Sequence, residues 1–429
     1  MGLGWFQIFR LGLVQMCLGA IVVLSTSTLN RLMVVELALP AVLPGALVAL
    51  HYGIQISRPA WGFRSDTRGN RTRFIVGGMG VLGLGSFLAA LGLTIMNTHF
   101  WLGLALSIAA YSLIGLGVGA SGTSLLALVA TATAPRRRAA AATITWLMMI
   151  FGIAMTAGVV GSLLDPYSPA RLLTIAGAVG LTASLLTTLS VWGIETRVVR
   201  VPEPEDRIPL MVGLREVWAE RKARNFTLFI FLSMVAYFLQ ELILEPYSGL
   251  VFGLTPGQST QLSGAQNGGV FLGMLVVGAA VSGLRLGSLR VWVIAGCLGS
   301  AIALCLIERQ GQAGGDYLFH AVVGLGFFNG VFAVSAIGAM MALAGEGRHG
   351  REGTRMGLWG AAQALAAGFG GLLGAGAADV LRLVLPDASA FGTVFLAEAG
   401  LFVIAAGMAA RVVSDRPVRL ANAAAVPGE

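Results

Sequence analysis

The sequence predicts an all-α membrane protein whose twelve transmembrane helices form two six-helix bundles. Apolar stretches of membrane-spanning length recur along the chain, and the basic residues concentrate in alternate gaps between them. About 20 apolar residues cross a hydrocarbon core as a helix, whereas a strand barrel would need segments of about ten residues with strict apolar and polar alternation. That alternation does not occur. The stretches lie near residues 11–32, 35–57, 74–95, 101–132, 139–163, 170–193, 225–246, 266–284, 291–307, 317–344, 356–379 and 391–410.

Composition excludes a water-soluble protein of this length. Charged residues make up 11% of the 429 residues, and the mean hydropathy is +0.82. So few charges cannot cover a soluble surface. The net charge of +8 lies in short loops, where anionic lipid headgroups attract arginine. We therefore expect membrane lipids as partners and no nucleic acid.

The distribution of basic residues predicts the orientation. Of the 28 Lys and Arg residues, all but four lie in alternate gaps, and the four on the opposite side are Arg31, Arg171, Arg309 and Arg382. Loops rich in Lys and Arg stay in the cytoplasm. Both termini are therefore expected to be cytoplasmic.

The twelve stretches divide evenly around a long polar segment. Residues 194–224 contain three prolines and several charges, and we interpret them as a cytoplasmic linker. The expected organisation is an N-terminal bundle over 1–193, this linker, a C-terminal bundle over 225–411 and a cytoplasmic tail over 412–429. Two bundles of six spans follow the plan of the major facilitator superfamily.

A loop motif strengthens this assignment. The loop between the second and third stretches resembles the superfamily signature G-x-x-x-D-R-x-G-R-R/K, and it matches at Gly62, Asp66, Gly69 and Arg71. Thr67 and Asn70 replace the usual arginines. A glycine permits close helix approach, the aspartate can meet an arginine or a helix N-terminus, and the basic residue can pair across the seam between the bundles. We predict that the four matching residues form a conformational latch.

Glycine is concentrated within the stretches. The eleventh stretch carries Gly357, Gly360, Gly368, Gly370, Gly371, Gly374 and Gly376, and the fifth carries Gly152, Gly158 and Gly161. Small residues let helix backbones approach closely in lipid, and they also allow sliding or kinking. Close packing and a moving gate both remain open as interpretations.

Polar residues within the stretches are candidates for function, because burying them in lipid is unfavourable. The first and seventh stretches end in polar strings, TLNRLMVVEL and FLQELILEPYSG. We predict that Arg31 pairs with Glu241 or Glu245, which would share one helix face, with Glu36 as the competing partner. The sequence contains no recognisable hydrolase, metalloprotease, nucleotide-binding or Cys/His metal motif, so we expect neither an enzyme nor a directly bound metal.

Longer strings indicate a narrower family. TLNRLMVVELALPA, QELILEPY and MGLWGAAQALAAG resemble the PucC/LhaA-type light-harvesting complex assembly proteins of purple phototrophic bacteria, also called the bacteriochlorophyll delivery family, within the major facilitator superfamily. The resemblance covers essentially all twelve stretches. HYGIQISRPAWGFRSD and the short N-terminus resemble the branch that bears the name of a bacteriochlorophyll synthase chain. The chain lacks the paired Asp-rich motifs that prenyl transfer requires, so that name does not indicate catalysis.

The resemblance implies an assembly factor for light-harvesting or reaction-centre complexes that binds or delivers bacteriochlorophyll. The implied location is the bacterial inner, intracytoplasmic photosynthetic membrane. The implied partners are light-harvesting α and β polypeptides or the reaction centre, with bacteriochlorophyll synthase as a further implied partner.

Bacteriochlorophyll contains Mg²⁺, which accepts an axial imidazole, amide or carboxylate ligand. The candidate ligands are His51, Gln55, Glu241, Glu245 and His320. His51 and Gln55 lie on one helix face, and an ordinary hydrogen-bonded interior histidine is the competing interpretation.

Two other functions remain open. A proton-coupled secondary transporter of a small amphiphile would carry its proton on Glu241, Glu245 or Glu398. A pigment-free scaffold would organise antenna polypeptides and bacteriochlorophyll synthase through its lipid-facing surface.

Overall fold

The computed structural model describes residues 3–58, 61, 70–134, 137–195, 215, 218–283, 286–344 and 352–413. Within these ranges eleven helices are long and apolar enough to cross a membrane, and a twelfth, Val42–Ser57, is a shorter apolar helix. The helices are α1 Trp5–Glu36, α2 Val42–Ser57, α3 Arg71–Met96, α4 Phe100–Ala132, α5 Arg138–Leu164, α6 Pro169–Val191, α7 Arg221–Phe252, α8 Pro256–Gly278, α9 Leu289–Ala313, α10 Leu318–Ala344, α11 Glu352–Arg382 and α12 Asp387–Val412.

Successive helices run in opposite directions, which gives the molecule two ends. We call the end where α1 begins and α12 ends the terminal side, and the opposite end the distal side. At the terminal side Arg10 donates hydrogen bonds to the carbonyls of Leu189 and Trp192, at 3.0 and 2.8 Å. The guanidinium of Arg10 thereby ties the start of α1 to the end of α6.

Several helices extend beyond the predicted stretches. The first helix continues to Glu36, so the second begins at Val42 rather than near residue 35. The eighth begins at Pro256 rather than near residue 266, because Thr255 caps it and the glutamines of its first turns interrupt the apolar run. The seventh begins at Arg221, inside the predicted linker over 194–224. The rest of that linker lies largely outside the described residues.

Each half has a large buried core of its own. One core is built from residues of all six helices α1 through α6, and the other from residues of α7 through α12, with Leu262 as the contribution of α8. The two cores exchange residues on the distal side: Val34 and Ala41 of the N-terminal half belong to the C-terminal core, and Leu242 belongs to the N-terminal core. The halves therefore interlock at that side.

Two helix pairs carry the main contact between the halves, α5 with α8 and α2 with α11. In the first pair the two helix backbones are in close contact. A Cβ atom on Gly257 would lie 2.4 Å from the Gly161 carbonyl oxygen and 2.5 Å from the Asp165 carboxylate. Only glycine fits that distance, which supports the packing interpretation for the fifth stretch. The second pair is looser, because a Cβ on Gly376 would lie 3.9 Å from the Val42 side chain.

The glycines of α11 differ in what they contact. A Cβ on Gly374 would lie 2.1 Å from the Leu239 carbonyl oxygen of α7, whereas a Cβ on Gly360 would meet nothing within 4 Å. Close packing therefore accounts for Gly374 and not for Gly360.

Candidate functional site

The distal half of α1 is distorted. Two π-helical segments, Leu24–Thr28 and Leu32–Glu36, flank Arg31. A π-helical turn bonds residues five apart, so Arg31 and Glu36 stack on one face. Arg31 Nη1 donates to Glu36 Oε1 at 2.6 Å, and the Arg31 side chain is 2% exposed. Hydropathy does not reveal this widening, because every residue of the two segments except Glu36 is apolar or small.

Arg31 also joins the two halves. Its Nη2 donates to the Leu254 carbonyl at 2.7 Å. Leu254 lies just after α7, whose C-terminal cap is Gly253 with a φ of +67°. A guanidinium at a helix C-terminus satisfies free carbonyls and opposes the negative end of the helix dipole. Tyr167, in the distal loop after α5, lies beside this ion pair. Burial, and next the Glu36 carboxylate, raise the pKa of the Tyr167 hydroxyl.

The predicted pairing of Arg31 with Glu241 or Glu245 is wrong in its choice of partner. Arg31 forms its ion pair with Glu36, the competing partner, because the π-helical turn places Glu36 within reach on the same helix. Arg31 acts on Glu245 electrostatically, without an ion pair between them.

The seventh helix is broken at the same depth. Its first segment ends at Leu239, a turn covers 240–243, and a second segment runs from Leu244 to Phe252. Pro246 has no N–H, so the carbonyl of Leu242, four residues earlier, lacks its helical donor. Asn30 Nδ2 of α1 supplies that donor at 2.7 Å. Asn30 and Pro246 both lie in the polar strings of the sequence, but nothing in those strings indicates that Asn30 replaces the donor that Pro246 removes.

The break separates Glu241 from Glu245. The prediction that the two carboxylates share one helix face is wrong, because the turn interrupts the helix between them. Glu245 is 1% exposed; its Oε1 accepts a hydrogen bond from Ser263 of α8, and its Oε2 is buried with no hydrogen-bond partner. The two acids therefore have different environments.

Glu241 lies between the two halves and is half-buried. Its carboxylate is within electrostatic range of Tyr52 of α2 and Tyr237 of α7. The ring of Phe238 packs edge-on against both tyrosines, with centroids 6.2 Å from Tyr52 and 5.1 Å from Tyr237. One accessible carboxylate beside three aromatic rings could bind a cation or a macrocycle that holds a metal ion at its centre.

His51 lies inside the N-terminal bundle and is 3% exposed. Arg58 Nη2 donates to Gln55 Oε1, which leaves the Gln55 amide nitrogen to donate to His51 Nε2 at 2.9 Å. The Nε2 lone pair is thus occupied, and Nδ1 is buried with no hydrogen-bond partner. This geometry supports the interior hydrogen-bonded histidine and places both His51 and Gln55 poorly for ligation.

His320 is exposed on the outer face of α10, at the distal end of a groove of about 420 Å³ between α9 and α10. The groove is almost entirely apolar, and its walls include Gly299, Ala303, Phe328 and Tyr317. His320 is therefore far from the residues between the halves, and the structure does not join it to Glu241 or Glu245 in one site.

The predicted latch lies mostly outside the described residues, since Gly62, Asp66 and Gly69 fall there. Arg71 begins α3, where its N–H donates to Glu195 Oε1 at 2.8 Å and its Nη1 donates to the Ala127 carbonyl at 3.3 Å. Both contacts are within the N-terminal half. Pairing of Arg71 across the seam stays a prediction.

Glu398 of α12 is fully buried, and neither of its carboxylate oxygens has a hydrogen-bond partner. Within the described ranges, no group of three or more His, Cys, Asp or Glu side chains is arranged to hold a metal ion.

Comparison with solved structures shows the fold. The chain superposes on a D-xylose-proton symporter with a TM-score of 0.74 at 16% identity, covering 96% of this chain and 98% of the other. It superposes on a bacterial homologue of the human lysosomal transporter Spinster with a TM-score of 0.69, also at 16% identity and with the same coverage. The chain therefore has the fold of the major facilitator superfamily, in two six-helix bundles. At this identity the likeness shows the fold alone.

Comparison of sequences shows the family. The chain is 70% identical over 417 residues to the "Bacteriochlorophyll synthase 44.5 kDa chain" of Rhodobacter capsulatus, covering 97% of each. It is 28% identical over 433 residues to "Protein PucC" of Cereibacter sphaeroides, covering 93% of this chain and 90% of the relative. The sequence model of the PUCC protein family matches residues 28–416. This multi-pass membrane protein therefore belongs to the PUCC protein family.

Proposed function

We propose that this protein assists the assembly of photosynthetic light-harvesting or reaction-centre complexes by holding or delivering bacteriochlorophyll, without catalysing its synthesis. The observation that carries the proposal is the 70% identity, over nearly the whole chain, to a relative named for bacteriochlorophyll synthase. The protein acts in the bacterial inner, intracytoplasmic photosynthetic membrane with both termini in the cytoplasm. Its partners are light-harvesting polypeptides or the reaction centre, together with bacteriochlorophyll synthase.

The geometry supports a pigment contact at Glu241. This carboxylate is half-buried between the halves, has aromatic neighbours on both, and is not engaged in the ion pair of Arg31. A carboxylate is a suitable axial ligand for the Mg²⁺ of the pigment, and tyrosine hydroxyls can donate to its ring carbonyls. His51 and Gln55 are engaged with one another, and Glu245 is enclosed, so Glu241 is the favoured ligand.

Pigment content of the purified protein tests the contact. Protein isolated in mild detergent from a pigment-producing strain should show near-infrared absorbance, and Glu241→Gln should lower pigment per protein severalfold. Glu308→Gln is the matched control, because Glu308 is also half-buried but lies on α9, within the C-terminal half. Equal pigment loss in both variants, or no pigment in the unaltered protein, would remove Glu241 as the ligand.

A deletion strain tests the role. Removal of the gene should lower the abundance of antenna complexes, while purified synthase without this chain should still esterify its substrate. Loss of esterification in that purified assay would contradict the non-enzymatic role. Normal antenna with normal synthase activity would contradict the assembly role.

A second candidate function is supported by a separate observation. Glu245 and Glu398 are buried carboxylates with unpartnered oxygens, as expected of groups that take up and release protons. A proton-coupled transporter of an amphiphile would show uptake into proteoliposomes driven by a pH gradient, and Glu245→Gln would abolish that uptake. A pigment-free scaffold would show neither pigment nor uptake, yet would still co-purify with antenna polypeptides.

A further inference from the structure

Two aspartates on the distal side each cap a helix of the opposite half. Asp379, in the last turn of α11, accepts from the N–H groups of Ala41 and Val42 at the start of α2, at 2.9 and 2.7 Å. Each of its carboxylate oxygens takes one bond. A charged carboxylate on the free N–H groups of a first helical turn is a strong, charge-assisted contact.

Asp165 makes the corresponding contact from the N-terminal half. It follows the last residue of α5, and its Oδ1 accepts from the Gly257 N–H of α8 at 3.0 Å. Its Oδ2 accepts from the Thr255 hydroxyl at 2.5 Å. The first helical position of α8 is Pro256, which has no N–H, so the hydroxyl of Thr255 supplies the second donor.

The two contacts are related by the internal repeat of the fold. Residues 165 and 379 are separated by the same number of positions as residues 41 and 255. Each contact runs from the fifth helix of one half to the second helix of the other. They therefore lie on opposite edges of the interface, one at α5–α8 and one at α2–α11, and clamp it at both edges.

We propose that Asp165 and Asp379 form a crossed latch that holds the distal side closed and that releases as a unit when that side opens. In this fold the halves move as rigid bodies about the interface between them. A rigid-body motion that opens the distal side separates both edges, so it breaks both contacts together. Both contacts then stabilise the same closed state, so the loss of either one multiplies the equilibrium constant for opening.

Thiol labelling behind each edge tests the latch. The natural cysteines Cys17, Cys297 and Cys305 are first replaced by alanine, and a reporter is then introduced as Thr260→Cys on α8 or Ala375→Cys on α11. Both positions are buried, close to Asp165 and Asp379 respectively. An impermeant maleimide applied to sealed vesicles of either orientation separates labelling from the distal side from labelling from the terminal side.

Asp165→Ala should raise distal labelling about tenfold at both reporters, as should Asp379→Ala, and the double variant about a hundredfold, given the strength of a charge-assisted hydrogen bond. Asp316→Ala is the matched control, because Asp316 is an exposed aspartate in the distal turn between α9 and α10, within one half. That variant should leave both rates unchanged.

Labelling that rises only at the reporter beside the altered aspartate would show two independent contacts and overturn the shared release. Rates that stay at the unaltered level in all three variants would overturn the latch itself. If the alanine variants do not accumulate, the same test uses Asp165→Asn and Asp379→Asn. Each keeps one acceptor oxygen, so the increase in labelling rate should be smaller.

Discussion

The first helices of the two halves, α1 and α7, are irregular at the same depth but in different ways. The helix of the N-terminal half stays continuous through two π-helical segments, whereas that of the C-terminal half breaks at 240–243. The continuous helix supplies donors, from Asn30 and Arg31; the broken one supplies the free carbonyl of Leu242, and the residues just after it supply that of Leu254. The irregularities of α1 and α7 are therefore complementary, and side chains of the N-terminal half satisfy backbone carbonyls of the C-terminal half.

Removing the arginine should have the largest effect. Arg31→Ala removes a fully buried side chain and frees the Leu254 carbonyl, while water can solvate the Glu36 carboxylate, which is 38% exposed. We expect the free energy of unfolding to fall by about 2–4 kcal/mol. Arg382→Ala is the control, because Arg382 forms a 2.7 Å ion pair on the same side but is 26% exposed, and it should cost under about 1 kcal/mol. Chemical unfolding in detergent measures both. Similar losses would mean that the burial of Arg31 adds nothing.

The second largest loss of stability is expected from substitution of Asn30. Asn30→Ala leaves the buried Leu242 carbonyl without a donor, at an expected cost of about 1–3 kcal/mol. Asn30→Asp keeps the shape but replaces the donor by an acceptor facing a carbonyl, so it should destabilise at least as much as alanine. The same unfolding assay compares the two. An aspartate variant as stable as the unaltered protein would show that donation to Leu242 is unimportant.

Restoring the missing backbone donor should weaken that effect. Pro246→Ala returns an N–H that can reach the Leu242 carbonyl, so the cost of Asn30→Ala should fall by about 1 kcal/mol in that background. A double-mutant cycle measures this coupling. Strict additivity would separate the role of Asn30 from the break in α7.

The smallest effect is expected where the halves meet through neutral groups. The hydroxyls of Thr28 and Thr260 lie 3.3 Å apart, and Thr28→Val should cost about 0.5–1.5 kcal/mol. A cost as large as that of Arg31→Ala would show that the contact between α1 and α8, rather than the pairing of α1 with α7, controls stability.

Much of the fold follows from the sequence, because the hydropathy and charge of each segment show whether it lies in lipid or in water. Twelve stretches, two halves and the matching polar strings of the first and seventh helices can all be seen there. Pro246 was visible as well, and it could have predicted the break in α7. The start of α8 was missed because its glutamines made the first turns look like loop.

The partners within the site could not be predicted in the same way. A π-helical turn changes which residues share a face without changing their hydropathy, so Glu36 looked a poorer partner for Arg31 than Glu241 or Glu245. Asn30 and Leu242 are 212 residues apart, and only the packed halves bring them together. The contact between His51 and Gln55 could be predicted, because residues four apart lie on the same face of a helix whatever the rest of the fold does.

The exchange of Leu242, Val34 and Ala41 between the two cores has a consequence for synthesis. The first six helices are synthesised before α7, so until α7 is made their core lacks Leu242 and Asn30 lacks the carbonyl to which it donates. The N-terminal bundle is therefore an unfinished intermediate until the seventh helix is inserted. A chain stopped after residue 193 should be a substrate for membrane proteolysis, and supplying the second half as a separate polypeptide should rescue it.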